Sequence, residues 1–181
     1  GYKASTPIQA QAIPTILNGL DLRASAPTGT GKTAAFLLPA LSRLTKPSSM
    51  PGFGPRVLIL VPTRELAMQI HAEATKFSKY LSRMKTVCIY GGAPYPVQNR
   101  ELSRPYEILV ATPGRLIDHI ERGRINFSRL EMLVLDEADR MLDMGFIEPV
   151  EKIAAATPAN RQTLLFSATL KGAVMNLSQR L

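Results

Sequence analysis

Six short apolar runs recur along the chain, at Leu22–Ala26, Val57–Val61, Thr86–Tyr90, Ile108–Ala111, Met132–Leu135 and Thr163–Phe166. Several are apolar at nearly every position. That suits strands buried on both faces, since a strand with one wet face would alternate apolar and polar residues. Helical patterns fill the intervals. The clearest follows Thr63, where Leu66, Ile70, Ala74, Phe77 and Leu81 recur every three or four residues. Another starts near Arg115, with Leu116, Ile117 and Ile120 on one face and Gly123 as its stop. Strand and helix in alternation predict an α/β fold, a parallel sheet with helices on both faces. Pro14 and Pro39 fall inside helical patterns. Each lacks a backbone donor and should kink or end its helix. Residues 46–55, rich in Pro, Gly and Ser, read as a surface loop rather than a domain boundary, because the strand pattern resumes at Val57.

Composition narrows the class without naming a function. A chain of 181 residues suits one domain with a substantial core. Apolar content of 45% and charged content of 20% argue against disorder. Lys and Arg total 22 against 14 for Asp and Glu, and the formal net charge of +8 favours a polyanion partner, nucleic acid or an acidic membrane surface. No apolar run nears the about 20 residues of a membrane span. The chain opens on Gly1 with no signal peptide and no initiator Met, which reads as a piece of a longer protein. The single cysteine, Cys88, reads as a small buried strand residue rather than a reactive thiol. One cysteine cannot form an internal disulfide, which fits a reducing, cytoplasmic compartment. The two histidines, His71 and His119, have no Cys or carboxylate cluster at metal-binding spacing and read as ordinary helix-face residues.

The chemistry starts at Ala26-Pro27-Thr28-Gly29-Thr30-Gly31-Lys32-Thr33, which follows the first apolar run and opens a helix. That context is what a phosphate-binding loop requires. Gly29 and Gly31 let backbone N–H groups turn inward with no Cβ in the way. The following helix aims its positive end at the phosphates. Thr28 through Thr33 would cradle a nucleotide. Lys32 would reach its β- and γ-phosphates, and the Thr33 hydroxyl would ligate Mg²⁺. The general pattern has Gly where this chain has Ala26. Asp136, at the end of the apolar run Met132–Leu135, would hold Mg²⁺ through water, since Mg²⁺ keeps part of its hydration shell. Glu137 stands next to it, placed to orient and deprotonate an attacking water.

With these residues in view, the chain resembles the DEAD-box family of ATP-dependent RNA helicases. Asp136-Glu137-Ala138-Asp139 spells the family signature. The segment from Gly1-Tyr2 to Ile8-Gln9 is similar to its adenine-reading element. Pro62-Thr63-Arg64-Glu65-Leu66-Ala67, Gly91-Gly92 and Thr112-Pro113-Gly114-Arg115-Leu116 are similar to its RNA-contacting elements, and Ser167-Ala168-Thr169 to the element that couples nucleotide to RNA. The wording around Asp136 is similar to the bacterial RhlE/SrmB-like branch. The resemblance implies a RecA-like fold, ATP with Mg²⁺, and RNA as partner, with no membrane role and a monomeric domain. It implies that Gln9 reads the adenine edge. Thr63, Arg64, Gly92, Thr112, Gly114 and Arg115 would hold the RNA sugar-phosphate backbone, without sequence information. Ser167 and Thr169 would hydrogen-bond Asp139. Ser5 departs from the family's usual Pro. The family's upstream adenine-stacking aromatic and its second RecA-like domain, which brings arginines to the γ-phosphate, lie outside these residues. Two other readings share the phosphate loop: a DNA translocase, and an ATP-gated RNA clamp that serves as a platform.

Overall fold

The computed structural model describes residues 6–26, 31–81 and 84–181. Six strands form one sheet, in the order β1-β6-β5-β2-β4-β3. They are β1 (Leu22–Ser25), β2 (Val57–Leu60), β3 (Thr86–Ile89), β4 (Ile108–Ala111), β5 (Met132–Leu135) and β6 (Gln162–Ser167). Every pairing is parallel. In the centre, Val57 sits beside Ile108 on one side and Met132 on the other. All residues of β2, β4 and β5 are buried, which is why these runs are apolar throughout rather than alternating.

The strand pleat divides the core in two. Val57, Ile59, Val110 and Val134 face one layer, with Phe36, Leu37 and Ile70. That layer belongs to α1 (Pro7–Leu17), α2 (Lys32–Leu44) and α3 (Arg64–Phe77). Leu58, Leu60, Leu109 and Leu133 face the other, with Leu116, Met141, Val150 and Leu177. Here lie α4 (Tyr95–Leu102), α5 (Pro113–Glu121), α6 (Ala138–Asp143), α7 (Ile147–Ala155) and α8 (Ala173–Arg180). Helices therefore cover both faces, as the alternation of elements predicts.

Neither expected proline break ends a helix. Pro14 lies inside α1 and Pro39 inside α2. Pro14 is exposed, and so is Ala10, so the carbonyl that loses its partner faces water. Pro39 is buried, and its ring adds apolar packing that offsets the missing bond. Leu81 falls beyond the end of α3 but still packs on the core. Residues 46–55 contain no helix or strand.

The N-terminal ends of the strands are tied by polar side chains. Arg56, just before β2, is buried and pairs with Glu131, just before β5. Arg43 of α2 donates to Gln162 Oε1 at 2.6 Å, and Gln162 Nε2 donates to the carbonyls of Ile16 and Leu20 at 3.0 and 2.7 Å. This fixes one end of the sheet. The other end, where all six strands point, is left to loops, and in parallel sheets that is where ligands bind.

Candidate nucleotide and RNA site

β1 is followed, after residues 27–30, by α2. Thr28, Gly29 and Thr30 lie outside the described residues. Gly31 caps α2 with φ +81°, in the left-handed region. A Cβ there would sit 2.7 Å from Gln9 Nε2 and 2.9 Å from the Thr6 methyl. Both conformation and space demand glycine at this position. Lys32 follows and is buried, its Nζ 2.9 Å from Asp136 Oδ1 and 3.9 Å from Glu137 Oε2. Thr33, half-buried, occupies the same first turn.

Asp136 ends β5 and is fully buried; its backbone N–H donates to Leu60 O at 2.9 Å. Burial pushes its carboxyl above the usual range, against the opposing pull of Lys32. Apart from the Lys32 ion pair, its two oxygens find no well-aligned donor among the described residues. A buried carboxylate with spare lone pairs fits a cation. No group of three or more His, Cys, Asp or Glu side chains gathers into a metal cage among the described residues. One carboxylate and one hydroxyl therefore suit Mg²⁺, which keeps waters and takes phosphate oxygens as its other ligands. Glu137 adopts φ +54°, the only non-glycine with positive φ among the described residues. Its side chain is mostly buried and also lies 3.8 Å from Arg140 Nη1.

Gln9 is buried, and both ends of its amide are in use. Oε1 accepts the Thr6 N–H at 3.1 Å and closes a capping box at the start of α1. Nε2 donates to Gly31 O at 3.1 Å. In this state Gln9 ties α1 to the phosphate loop. Ser167, at the end of β6, receives the Asp139 backbone N–H at 3.2 Å and the Thr169 N–H at 3.4 Å. The bridge between the two segments is thus the Ser167 hydroxyl meeting the Asp139 amide; Thr169 bonds Ser167, not Asp139.

The candidate RNA residues gather at the ends of β2, β4 and β3, the neighbouring half of the sheet. Thr63 caps α3, its Oγ1 accepting the Leu66 N–H at 3.2 Å. Arg64 is exposed and lies over the Tyr90 ring, 5.1 Å from its centroid. Gly92 has φ +92°, and a Cβ there would stand 3.6 Å from Arg64 Nη1. Thr112 precedes α5 with no side-chain capping bond, and Gly114 is exposed in the first turn. Arg115 turns inward. Its Nη1 donates to Ala93 O at 2.8 Å and Gln98 Oε1 at 3.0 Å, and its guanidinium stacks 4.1 Å from the Tyr95 centroid. Tyr90, Tyr95 and Gln98 were not among the residues that motif reading picks out. The available signal was the four-residue spacing of Gln98 and Leu102, the two buried positions of α4.

His119 lies on α5, on the face that is fully buried. Nε2 lies 2.8 Å from Gln98 Oε1, and Arg124 Nη1 lies 3.4 Å from Nδ1. Nε2 must therefore carry the proton and Nδ1 accept. Burial, then the Arg124 and Arg115 charges, push its pKa down to about 4. The unfolded chain binds this proton first, so stability is full above the ordinary histidine value and falls as pH drops from about 6.5 towards 4. Denaturant unfolding at pH 7 and pH 5 should show that loss, and His119→Gln should flatten it; an unchanged slope would remove His119 as its source. Cys88 is half-buried in β3, and burial pushes its thiol up to about 12, which leaves it protonated and unreactive at neutral pH.

A parallel sheet with a phosphate-loop lysine set on a buried strand-end aspartate defines a RecA-like nucleotide-binding domain. A family model described as DEAD/DEAH box helicase matches residues 6–177. The chain is 53% identical over 169 residues to the ATP-dependent RNA helicase-like protein DB10 of Nicotiana sylvestris, covering 93% of this chain and 28% of that protein. It is 49% identical over 180 residues to the ATP-dependent RNA helicase DeaD of Escherichia coli (strain K12), covering 99% of this chain and again 28% of that protein. Among solved structures, the yeast DEAD-box splicing factor Prp28 superposes with a TM-score of 0.91 at 38% identity, over 98% of this chain and 43% of that one. A hypothetical ATP-dependent RNA helicase from Sulfolobus tokodaii gives 0.86 at 37%, over 99% and 50%. The chain belongs to the DEAD/DEAH box helicase family. It spans 28% of the length of the two relatives named. Bacterial, plant and fungal relatives match at 49%, 53% and 51% identity, which gives the RhlE/SrmB-like likeness no separate support.

Proposed function

We propose that this chain is the ATP-binding half of an ATP-dependent RNA helicase, which hydrolyses ATP to ADP and phosphate and uses the cycle to open short RNA duplexes or remodel RNA–protein complexes. The observation that carries this reading is the grouping of Lys32, Asp136 and Glu137 within ion-pair distance at the strand ends. Asp136 and Thr33 would hold Mg²⁺, which when bound supplies charge neutralisation at the phosphates. Lys32 leaves Asp136 for the β- and γ-phosphates. Glu137 orients a water and takes its proton. Thr28, Gly29, Thr30 and Gly31 offer backbone N–H groups to the phosphates, and Gln9 exchanges its present partners for the adenine edge. Thr63, Arg64, Gly92, Thr112, Gly114 and Arg115 hold the RNA backbone, consistent with the +8 charge. Asp139, Ser167 and Thr169 connect the two sites.

A second RecA-like domain of the same protein would complete both sites. Its arginines would be worth about 10³–10⁵ in rate, so residues 1–181 alone bind nucleotide and turn it over slowly. The domain acts as a monomer in the cytoplasm. No helix among the described residues is long and apolar enough to cross a membrane.

Calorimetric titration with Mg·ADP and Mg·GDP tests the assignment. Wild type should prefer ADP. If Gln9 reads adenine, Gln9→Ala weakens ADP and erases the preference. If Gln9 is only a strut to Gly31, both nucleotides weaken equally and the adenine role fails. Equal binding of ADP and GDP by wild type would remove it as well.

A further inference from the structure

Resting on the RNA reading of Arg64, Gly92 and Arg115, we propose that Gln98 is a positioning residue that sets these three groups in register for a single RNA strand. Gln98 belongs to α4 and contacts none of the phosphate-loop residues described. It is 4% exposed, and both ends of its amide are bonded. Nε2 donates to Tyr90 O at 3.0 Å, and Oε1 accepts from Arg115 Nη1 at 3.0 Å and His119 Nε2 at 2.8 Å. Two of these bonds reach different parts of the RNA surface, and the third anchors Gln98 to α5. Tyr90 is the ring on which Arg64 lies. Arg115 holds Ala93 O, the residue after Gly92. His119 backs the same oxygen from α5.

The chemistry of the side chain follows from that geometry. The position must donate to a carbonyl on one side and accept two N–H groups on the other. A primary amide does both in one plane. A carboxylate cannot donate to Tyr90 O, and an ammonium or guanidinium cannot accept from Arg115. Gln98 and His119 are buried and Tyr90 and Arg115 half-buried, so a bond lost at Gln98 is only partly replaced by water and its partners shift. Loss of Gln98 therefore removes one of the hydrogen bonds that set Arg115 and the bond that holds Tyr90 O, and loosens Arg115 and the segment from Tyr90 to Ala93 together, while the α2 site shares none of these bonds.

The test uses Gln98→Met, similar in shape and unable to make any of the three bonds, and Gln98→Glu, which keeps the acceptor and loses only the donor. A single-stranded RNA oligonucleotide is titrated into the 181-residue chain, and the NMR shifts of the Gly92 amide and the Arg64 Nε–H are followed. Mg·ADP affinity is measured in parallel. Gln98→Met should weaken RNA roughly tenfold or more, as the loss of one to two net hydrogen bonds implies, with ADP affinity within about twofold. Gln98→Glu should fall between it and wild type. RNA affinity equal to wild type in either folded variant overturns the positioning role, even if thermal stability drops. If Gln98→Met does not fold, Gln98→Glu decides. If wild-type Gly92 and Arg64 do not respond to RNA at all, the RNA reading itself fails, and the role of Gln98 falls with it; the two failures are thereby distinct.

Discussion

Lys32→Ala should cost about 3 kcal/mol of stability as well as nucleotide binding. The ammonium is nearly inaccessible and sits 2.9 Å from a carboxylate with no exposure at all. Breaking a buried pair costs about 3–5 kcal/mol because one charge is left without compensation. The lower end applies here, since burial already favours the neutral acid at Asp136 and a proton can replace the lost partner. The sign of the pH dependence follows. With Lys32 gone the folded pKa of Asp136 rises further above its unfolded value, so the penalty relative to wild type is absent at low pH and grows as pH rises past the already raised wild-type value. Denaturant unfolding at pH 5 and pH 7.5 should show a wider gap from wild type at the higher pH. Adding Asp136→Asn to Lys32→Ala should recover part of the loss. Additive costs in the double variant would mean the two side chains do not act as a pair. Mg·ADP affinity should fall at least tenfold, since a charge-assisted bond to phosphate is worth about 1.5–3 kcal/mol.

Glu137→Gln should separate binding from hydrolysis. The amide has the shape of the acid and can still orient a water. It cannot take the proton, and a positioned general base contributes about 10²–10⁴ in rate. In the full-length protein with RNA, ATP turnover should drop by that factor while Mg·ADP affinity changes by only a few-fold. A turnover within tenfold of wild type would reassign the base. Kinetics and calorimetry on the same variant suffice.

The strands were legible because a strand covered on both faces leaves a run with no polar break, as in Val57–Leu60 and Met132–Leu135. Their ends were less so: Ala26 bonds the Ser167 carbonyl at 2.9 Å yet lies past β1. The phosphate loop was legible for another reason. Its chemistry fixes residue types at fixed offsets, so Gly31, Lys32 and Thr33 announce themselves locally. What stayed hidden depends on partners that only tertiary packing brings near. Nothing around Arg115 says that its guanidinium turns inward to Ala93 and Gln98. Nothing around His119 says that α4 covers it. Gln9 carries an adenine-reading pattern, but its present bonds to Thr6 and Gly31 come from the meeting of α1 and α2.

On the role proposed for Glu137, its left-handed turn sets heat resistance against turnover. A glutamate held at φ +54° stores on the order of 1 kcal/mol that glycine would release and asparagine would reduce. Laboratory evolution of this domain that rewards survival of heating alone would drift towards those residues at position 137, and would harvest sturdier proteins without the base proposed for ATP hydrolysis. A screen that rewards both properties has to leave that turn strained and find its stability elsewhere.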